Sequence, residues 1–297
     1  MSSELAPPMA GRCSAAVRFE GVATTVQRLG RTTNLVHGFI YFSLEARERF
    51  AALGLAPRQQ YFASRAAAMG PVDADAVIDS FYNFNPDAVR AAMANPWEIA
   101  APETMQQARF EAVNDVLGVH CADIDRGSLD RAIEIATAMV DGVPDVGKPL
   151  AAGNRTVERP VDPLLHLWQL VTIGREWRGD AHVQVLRDAA VSGIESLVLH
   201  GATGQVPIAV LKATRAWSET EWSAAVAGLA DRGLVHADGT FTPQGEQYRK
   251  DIEAETKRAA QALVDAVGDE SANELCDALR PIRDALVASG VFANSLS

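Results

Sequence analysis

The segment 166–182, HLWQLVTIGREWRGDAH, holds the densest group of polar and aromatic side chains in the chain. Within it, Glu176 and Asp180 are spaced i, i+4, so a helix would place both carboxylates on one face. His37 and Tyr41, in the first half of the chain, have the same spacing. If the two helices meet, a histidine and a tyrosine face two carboxylates. This grouping suits acid–base chemistry or half of a metal site.

The same grouping has a structural alternative, in which a buried hydrogen-bonded network closed by Arg175 or Arg178 fixes the helix pair without a ligand. Arg65 lies in the small, apolar run ASRAAAM and needs an anionic partner there, either a protein carboxylate or a bound acid. The sequence thus predicts a ligand site, with no catalytic residue, metal or cofactor assigned. Its candidate residues are His37, Tyr41, Arg65, His166, Arg175, Glu176, Arg178, Asp180 and His182.

Other chemistries lack a signature in this sequence. It has no Walker loop, no G-x-G-x-x-G, no H-E-x-x-H and no G-x-S-x-G. Cys13, Cys121 and Cys276 are scattered without a C-x-x-C spacing, which favours a reduced cytoplasm over disulfides or structural zinc. No apolar run approaches the roughly 18 residues of a membrane span, and the N-terminus lacks the pattern of a secretory signal. We therefore expect a cytoplasmic protein without a membrane partner.

Periodic apolar positions predict a mainly helical protein, as at Leu129, Ile133, Ala136 and Val140. One segment, rich in proline and glycine, is predicted to be a linker that divides the chain. The expected organisation is a disordered N-terminus over 1–16, a helical repeat over 17–142, the linker over 143–165 and a second repeat over 166–297.

The segment 206–259 predicts a helix, a turn, a second helix, a hairpin and a long helix. Ser218 and Glu221 form a capping box at the start of the second helix, and Asp238-Gly239 is a hairpin turn signal. The string ADRGLVHADGTFTPQG resembles the wing of MarR-type winged helix-turn-helix regulators. The RGDxH stretch at 178–182 is similar to an uncharacterised actinobacterial helix-turn-helix family.

Charge argues against DNA as the main partner of this unit. The net charge is −11, and phosphate binding needs clustered Lys and Arg. The N-terminal end of the second helix, which enters the major groove in this motif, carries Glu219 and Glu221. The expected wing tip has no basic residue, although such wings insert one into the minor groove. DNA stays open as a partner but is disfavoured by charge.

The first half is interpreted as a degenerate copy of the same helical unit. Gly70-Pro71-Val72 aligns with Gly204-Gln205-Val206, and Phe84-Asn85-Pro86 aligns with Trp217-Ser218-Glu219. The alternative is that any two helical segments of similar length align passably. MarR-type proteins are two-fold dimers, so the resemblance implies a single-chain pseudo-dimer of two tandem winged-helix-type repeats, with one wing in the C-terminal copy.

Three functions follow from these patterns. The first is a small-molecule-binding protein of MarR-like descent, with a pocket between the two halves and weak or lost DNA binding. The second is a MarR-type transcriptional regulator. The third is an enzyme that uses the polar cluster for acid–base or metal chemistry. The chain is expected to be a monomer or a homodimer.

Overall fold

The computed structural model describes residues 23–296, with side chains as far as residue 293. The predicted mainly helical class is confirmed. The expected disordered segment 1–16 lies outside the described residues. The helices are α1 Thr25–Gly38, α2 Leu44–Ala52, α3 Pro57–Ala66, α4 Ala74–Ser80, α5 Pro86–Ala92, α6 Pro96–Ile99, α7 Pro102–His120, α8 Arg126–Asp141, α9 Pro149–Thr156, α10 Pro163–Asp188, α11 Gly193–Gly201, α12 Ile208–Arg215, α13 Glu219–Asp231, α14 Pro243–Asp265, α15 Gly268–Ala278 and α16 Arg280–Ala288. Short 3₁₀ turns lie at Phe39–Tyr41, Ala67–Met69 and Val291–Leu296.

Helix α10 lies at the centre of the fold and packs against α1, α8, α9 and α14. Asp162 caps its first turn by accepting from the Leu165 N–H at 3.1 Å, and Pro163 takes the first helical position. Gly179 lies within α10. The helix continues through it, because one glycine costs only about 1 kcal/mol and packing against four helices outweighs that. The nearest atom to a Cβ at this position would be 3.6 Å away.

The proline-rich segment 143–165 is partly helical, which differs from the expected plain linker. Pro149 begins α9 and Pro163 begins α10, both at first-turn positions where proline breaks no hydrogen bond. Leu150 and Ala151 are buried, and α9 packs on α10. The prolines therefore start helices here instead of excluding them.

The described core consists of two hydrophobic clusters. The larger one combines α1 to α10 with the last helices of the chain, so both halves contribute to it. The smaller one runs from Leu186 to Ile252 and includes Trp222 and Leu229. We call residues 186–252 the helix-turn-helix unit. Helices α10 and α14 reach from this unit into the larger cluster.

Within the unit, α12 and α13 form the helix-turn-helix pair. The turn between them contains Ala216 in the left-handed conformation, at φ 60°. The predicted capping box of Ser218 and Glu221 is confirmed at the start of α13. Local sequence therefore fixes where α13 begins.

The predicted two-stranded wing is reduced to one antiparallel bridge, between Val235 and Phe241. Backbone bonds around the turn remain, with the His236 N–H donating to the Thr240 carbonyl at 2.8 Å. Thr242 caps α14 directly after the bridge, and α14 packs so closely that a Cβ on Gly245 would lie 1.6 Å from the Leu234 carbonyl oxygen. The early start of α14 leaves no length for strands.

Candidate functional site

A buried carboxylate, Glu176 of α10, forms the centre of the polar cluster. Arg65 of α3 binds it through two parallel bonds, Nε to Oε1 at 2.7 Å and Nη2 to Oε2 at 2.6 Å. Arg175 donates from Nη1 to Oε2 at 2.7 Å. Glu176 is fully buried and Arg65 is 8% exposed. The anionic partner that Arg65 required is therefore a protein carboxylate, held in the two-pronged geometry that arginine favours.

The surrounding charges set the protonation states in this cluster. Burial alone raises the pKa of Glu176, but Arg175, Arg65 and His37 outweigh it and hold that pKa well below its usual range. Burial and Arg175 lower the pKa of His37 well below its usual value, against the opposing effect of Glu176. The cluster thus contains an ionised carboxylate and a neutral imidazole.

The imidazole of His37 is held from both sides. Its Nδ1 lies 3.0 Å from Thr172 Oγ1, and its Nε2 lies 3.0 Å from the Tyr41 hydroxyl and 3.7 Å from Glu176 Oε1. The ring stacks on Trp168 at 6.0 Å with an interplanar angle of 10°. His37 and Glu176 have no exposed surface, so no substrate atom reaches them while the helices keep this packing. The arrangement is a closed hydrogen-bonded network.

The structure brings His37, Tyr41, Arg65, Arg175 and Glu176 into contact and places the other candidates elsewhere. Asp180 turns toward α9 and accepts from the Ala151 N–H at 3.0 Å. Burial raises the pKa of Asp180, the Ala151 N–H opposes this, Glu176 raises it further, and the value reaches about 7.

The remaining three candidates occupy different surroundings. His166 lies in the first turn of α10, where burial and then Arg159 lower its pKa. Arg178 packs against Gly30, where an added Cβ would lie 3.0 Å from the Arg178 Nε. His182 contacts Thr256 Oγ1 at 2.9 Å, and burial lowers its pKa to about 4.

A cavity of about 150 Å³ lies beside this network, between elements of the two halves. On one side it is lined by α3 and residues 80–84 of the first half. On the other side it is lined by α10 and the end of α12. Its lining residues are Tyr61, Arg65, Ser80, Phe81, Tyr82, Asn83, Phe84, Leu150, Arg175, Gly179, His182, Val183, Leu186 and Arg215. The wall therefore combines aromatic and aliphatic side chains with three guanidinium groups.

Arg215 is a charged lining residue that sequence reasoning missed. It is the last residue of α12, and its guanidinium lies over the Phe84 ring at 4.5 Å. Arg65 lies over the Phe81 ring at the same distance. Of these four residues, only Arg65 was a candidate site residue from the sequence. The pairing of Arg215 with Phe84 joins residues that are far apart in the chain.

The loop after α4 connects the first half to the helix-turn-helix unit. The Asn85 N–H donates to the Arg215 carbonyl at 3.0 Å, and Trp217 Nε1 donates to the Asn83 carbonyl at 2.9 Å. Asn85 Nδ2 also donates to Glu221 Oε1 at 2.9 Å. These three hydrogen bonds link the cavity wall to the end of α12 and the start of α13.

The outward face of α13 carries no basic side chain. Its exposed positions include Glu219, Thr220, Ser223, Ala224 and Ala227. Lys212, the nearby cation on α12, binds Glu219. The surface that would enter the major groove is therefore neutral to acidic.

The described residues hold neither a candidate membrane span nor a candidate metal-ligand cluster. No helix there is long and apolar enough to cross a membrane. No group of three or more His, Cys, Asp or Glu side chains there is placed to hold a metal ion.

The model of a family described as a helix-turn-helix family matches residues 26–293, which is nearly all of the described chain. No curated protein and no solved structure matches the sequence.

Proposed function

We propose that this chain, which belongs to the helix-turn-helix family whose model spans it, is a small-molecule-binding protein of MarR-like descent. The ligand enters the cavity between the two halves, and binding of DNA by the helix-turn-helix unit is weak or lost. The observation that carries the proposal is the cavity itself, which lies between the halves and is lined by Arg65, Arg175 and His182 from the predicted ligand site.

The composition of the cavity supports binding over plain packing. Small-molecule sites are concave and combine an apolar wall with a few polar groups that fix the orientation of the ligand. Here Phe81, Phe84 and Leu186 supply the apolar wall, and the arginines supply the polar groups. At about 150 Å³ the space suits a compact ligand of one ring or a short branched chain.

The order of helices supports the MarR-like descent and the pseudo-dimer. Helices α3, α4, α5 and α7 come in this order in the first half, with the four-residue α6 before α7, and α11, α12, α13 and α14 come in the corresponding order in the second. Pro102 begins α7 as Pro243 begins α14. On this proposal the second copy kept the full reading helix, while its counterpart α5 shortened.

The second candidate is a regulator that binds DNA, which membership of a helix-turn-helix family suggests. The α12–α13 pair favours it. The acidic outer face of α13 and the engagement of Lys212 by Glu219 count against it, because phosphate contacts need free cations. We also propose a cytoplasmic location, in keeping with the buried free thiols Cys121 and Cys276.

Ligand binding is tested by a thermal-shift screen of a metabolite library against the full chain and a cavity-blocked variant. Gly179→Leu adds a side chain at a position that lines the cavity, where the new Cβ would lie 3.6 Å from Glu176 Oε2 and 3.7 Å from Arg175 Nη1. Gly228→Leu adds the same side chain to α13, where no atom lies within 4 Å of the new Cβ. A compound that raises the melting temperature of the wild type and Gly228→Leu, but not of Gly179→Leu, is expected. A library that stabilises all three proteins equally, or none, refutes the proposal.

DNA binding is tested by fluorescence anisotropy with random duplexes at 50 and 200 mM salt. Weak binding with a shallow salt dependence is expected, because few phosphates are neutralised. Tight binding that falls steeply with salt would favour the regulator instead.

A further inference from the structure

We propose that this protein has a second binding site, in a groove next to the cavity of the proposed function, where Asp180 binds the ammonium group of a slender aliphatic amine. The groove has a volume of about 660 Å³ and lies between residues 68–80 of the first half and helices α9 and α10. Ser80 and Val183 line both spaces, but Asp180 lines only the groove. The inference goes beyond the proposed function and does not depend on it.

The first argument is that Asp180 is a buried carboxyl group without a cationic partner. It is only 4% exposed, and it forms no ion pair with any described residue. Arg187, the cation that lines the same groove, is engaged by Asp79, because its Nη2 donates to the Asp79 carbonyl at 3.0 Å and to Oδ1 at 3.2 Å. Buried carboxylates in proteins are paired or become neutral. A cation is therefore the partner that Asp180 lacks.

The second argument is that one oxygen of Asp180 is open to the groove. Oδ2 accepts from the Ala151 N–H at 3.0 Å, whereas Oδ1 accepts no hydrogen bond from the described residues. Side-chain atoms that are both sealed from solvent and unpaired occur in five described residues, and Asp180 is not one of them. Oδ1 therefore keeps accessible surface. Since Asp180 lines the groove, an N–H donor placed there reaches this oxygen.

The third argument is that the protonation of Asp180 responds to a nearby cation. Burial raises the pKa of Asp180, the Ala151 N–H opposes this, Glu176 raises it further, Arg65 lowers it, and the value is about 7. An ammonium group at Oδ1 favours the ionised carboxylate. Binding is therefore expected to release a proton from Asp180 when the pH is below that value.

The walls of the groove indicate the shape of the ligand. Small residues line both sides, with Ala68, Gly70 and Ala76 on one and Ala152 and Gly153 on the other. No aromatic ring of the described chain lines the groove, in contrast to the neighbouring cavity. A flat aromatic cation would have no ring to stack on, whereas a narrow aliphatic chain contacts small walls along its length. The groove therefore favours an alkylammonium ion.

Asp180 also has a structural role, which a test must keep apart from binding. Ala151 is the third residue of α9, and the free N–H groups at a helix N-terminus favour a carboxylate. This role uses Oδ2 and leaves Oδ1 free. Asparagine at this position keeps one oxygen for the Ala151 N–H and removes the negative charge.

Isothermal titration of the full chain at pH 8.5 tests the assignment with n-pentylamine, 1-pentanol and ammonium chloride. The amine stays protonated at this pH, because alkylamines have a pKa of about 10. It is expected to bind at least ten-fold more tightly than the other two compounds. Pentanol keeps the chain and loses the charge, so equal binding of pentanol overturns the cation assignment. Ammonium keeps the charge and loses the chain, so its equal binding overturns the aliphatic part. A titration in which pentylamine does not bind overturns the site.

The variant Asp180→Asn should bind pentylamine at least ten-fold more weakly than the wild type. Asp188→Asn is the matched control, because Asp188 is an exposed carboxylate near the end of the same helix and lies outside the groove. It should bind the amine as the wild type does. Unchanged affinity in Asp180→Asn overturns the proposal.

The wild type alone supplies a second measurement, which decides the question if Asp180→Asn fails to fold. With a folded pKa of about 7, Asp180 is mostly protonated at pH 6 and mostly ionised at pH 8.5. The affinity for pentylamine should then be about ten-fold lower at pH 6, with release of about 0.9 proton per bound amine. Titrations in two buffers of different ionisation enthalpy measure this release. Equal affinity at both pH values without proton release overturns the role of Asp180.

Discussion

Replacement of Glu176 by glutamine tests how much a buried ion pair stabilises this protein, compared with an exposed pair of the same geometry. Glu176 accepts three charge-assisted bonds, two from Arg65 and one from Arg175. Glutamine offers one carbonyl oxygen, and its amide group turns two N–H bonds toward a guanidinium group. Arg65, 8% exposed, is then left without a counter-charge. Removing one partner of a buried pair costs about 3–5 kcal/mol.

That loss is a large part of a total stability of about 5–15 kcal/mol. At about 3 kcal/mol per M of urea, it lowers the midpoint of urea unfolding by about 1 M or more. The midpoint is measured by circular dichroism at pH 7. Because the folded pKa of Glu176 lies below its unfolded value, its stabilising contribution is complete above the unfolded value and is lost as the pH falls through the folded one. The difference between wild type and Glu176→Gln should therefore shrink in acid.

The matched control is Glu274→Gln. Glu274 accepts two parallel bonds from Arg131, Nε to Oε1 at 3.0 Å and Nη2 to Oε2 at 2.9 Å, but both side chains are 44% exposed. Water replaces the lost bonds there, so little or no change in midpoint is expected. A midpoint shift for Glu176→Gln no larger than that for Glu274→Gln would show that burial does not make this network structural.

Two further outcomes are expected. Gly245→Ala should destabilise the protein by about 3 kcal/mol, because its Cβ would lie 1.6 Å from the Leu234 carbonyl oxygen and the backbone must move. Gly228→Ala, inside α13 with no atom within 4 Å of the Cβ, should instead raise stability by about 0.5–1 kcal/mol, and equal urea midpoints for the two variants would contradict this packing. For Asp180, the folded pKa of about 7 lies above the ordinary value of 3.8, so the folded state holds a proton that the unfolded state releases. The free energy of unfolding of the wild type should therefore fall relative to Asp180→Asn as the pH rises from 4 to 8, and parallel urea midpoints across that range would argue against a protonated buried carboxyl.

Local sequence determined the helical elements and several of their boundaries. Apolar periodicity predicted helices through most of the chain, and the Ser218–Glu221 capping box began α13 as expected. The helix-turn-helix unit was also visible, because its signals lie within a few residues of one another. The prolines of 143–165 predicted a linker, but part of this segment is helical. Proline ends a helix from its interior, yet it also fits the first turn of a new helix, as Pro149 does in α9.

The candidate site was predicted in part, since spacing fixes a helix face but not what lies opposite. His37, Tyr41 and Glu176 do meet, yet Asp180 turns away to bind the Ala151 N–H. The sequence required an anion for Arg65 and left open whether it was a carboxylate or a ligand. Only the tertiary contact between Arg65 of α3 and Glu176 of α10 settled this.

Tertiary structure alone placed Arg215 beside Arg65 and Arg175, and it alone left the Nε of Arg215 without a partner. Burial and neighbouring charge depend on contacts between residues far apart in the chain, which no local pattern encodes. The sequence thus determined that this chain is helical and contains a helix-turn-helix unit. The packing of its two halves decided which of the buried charges were paired.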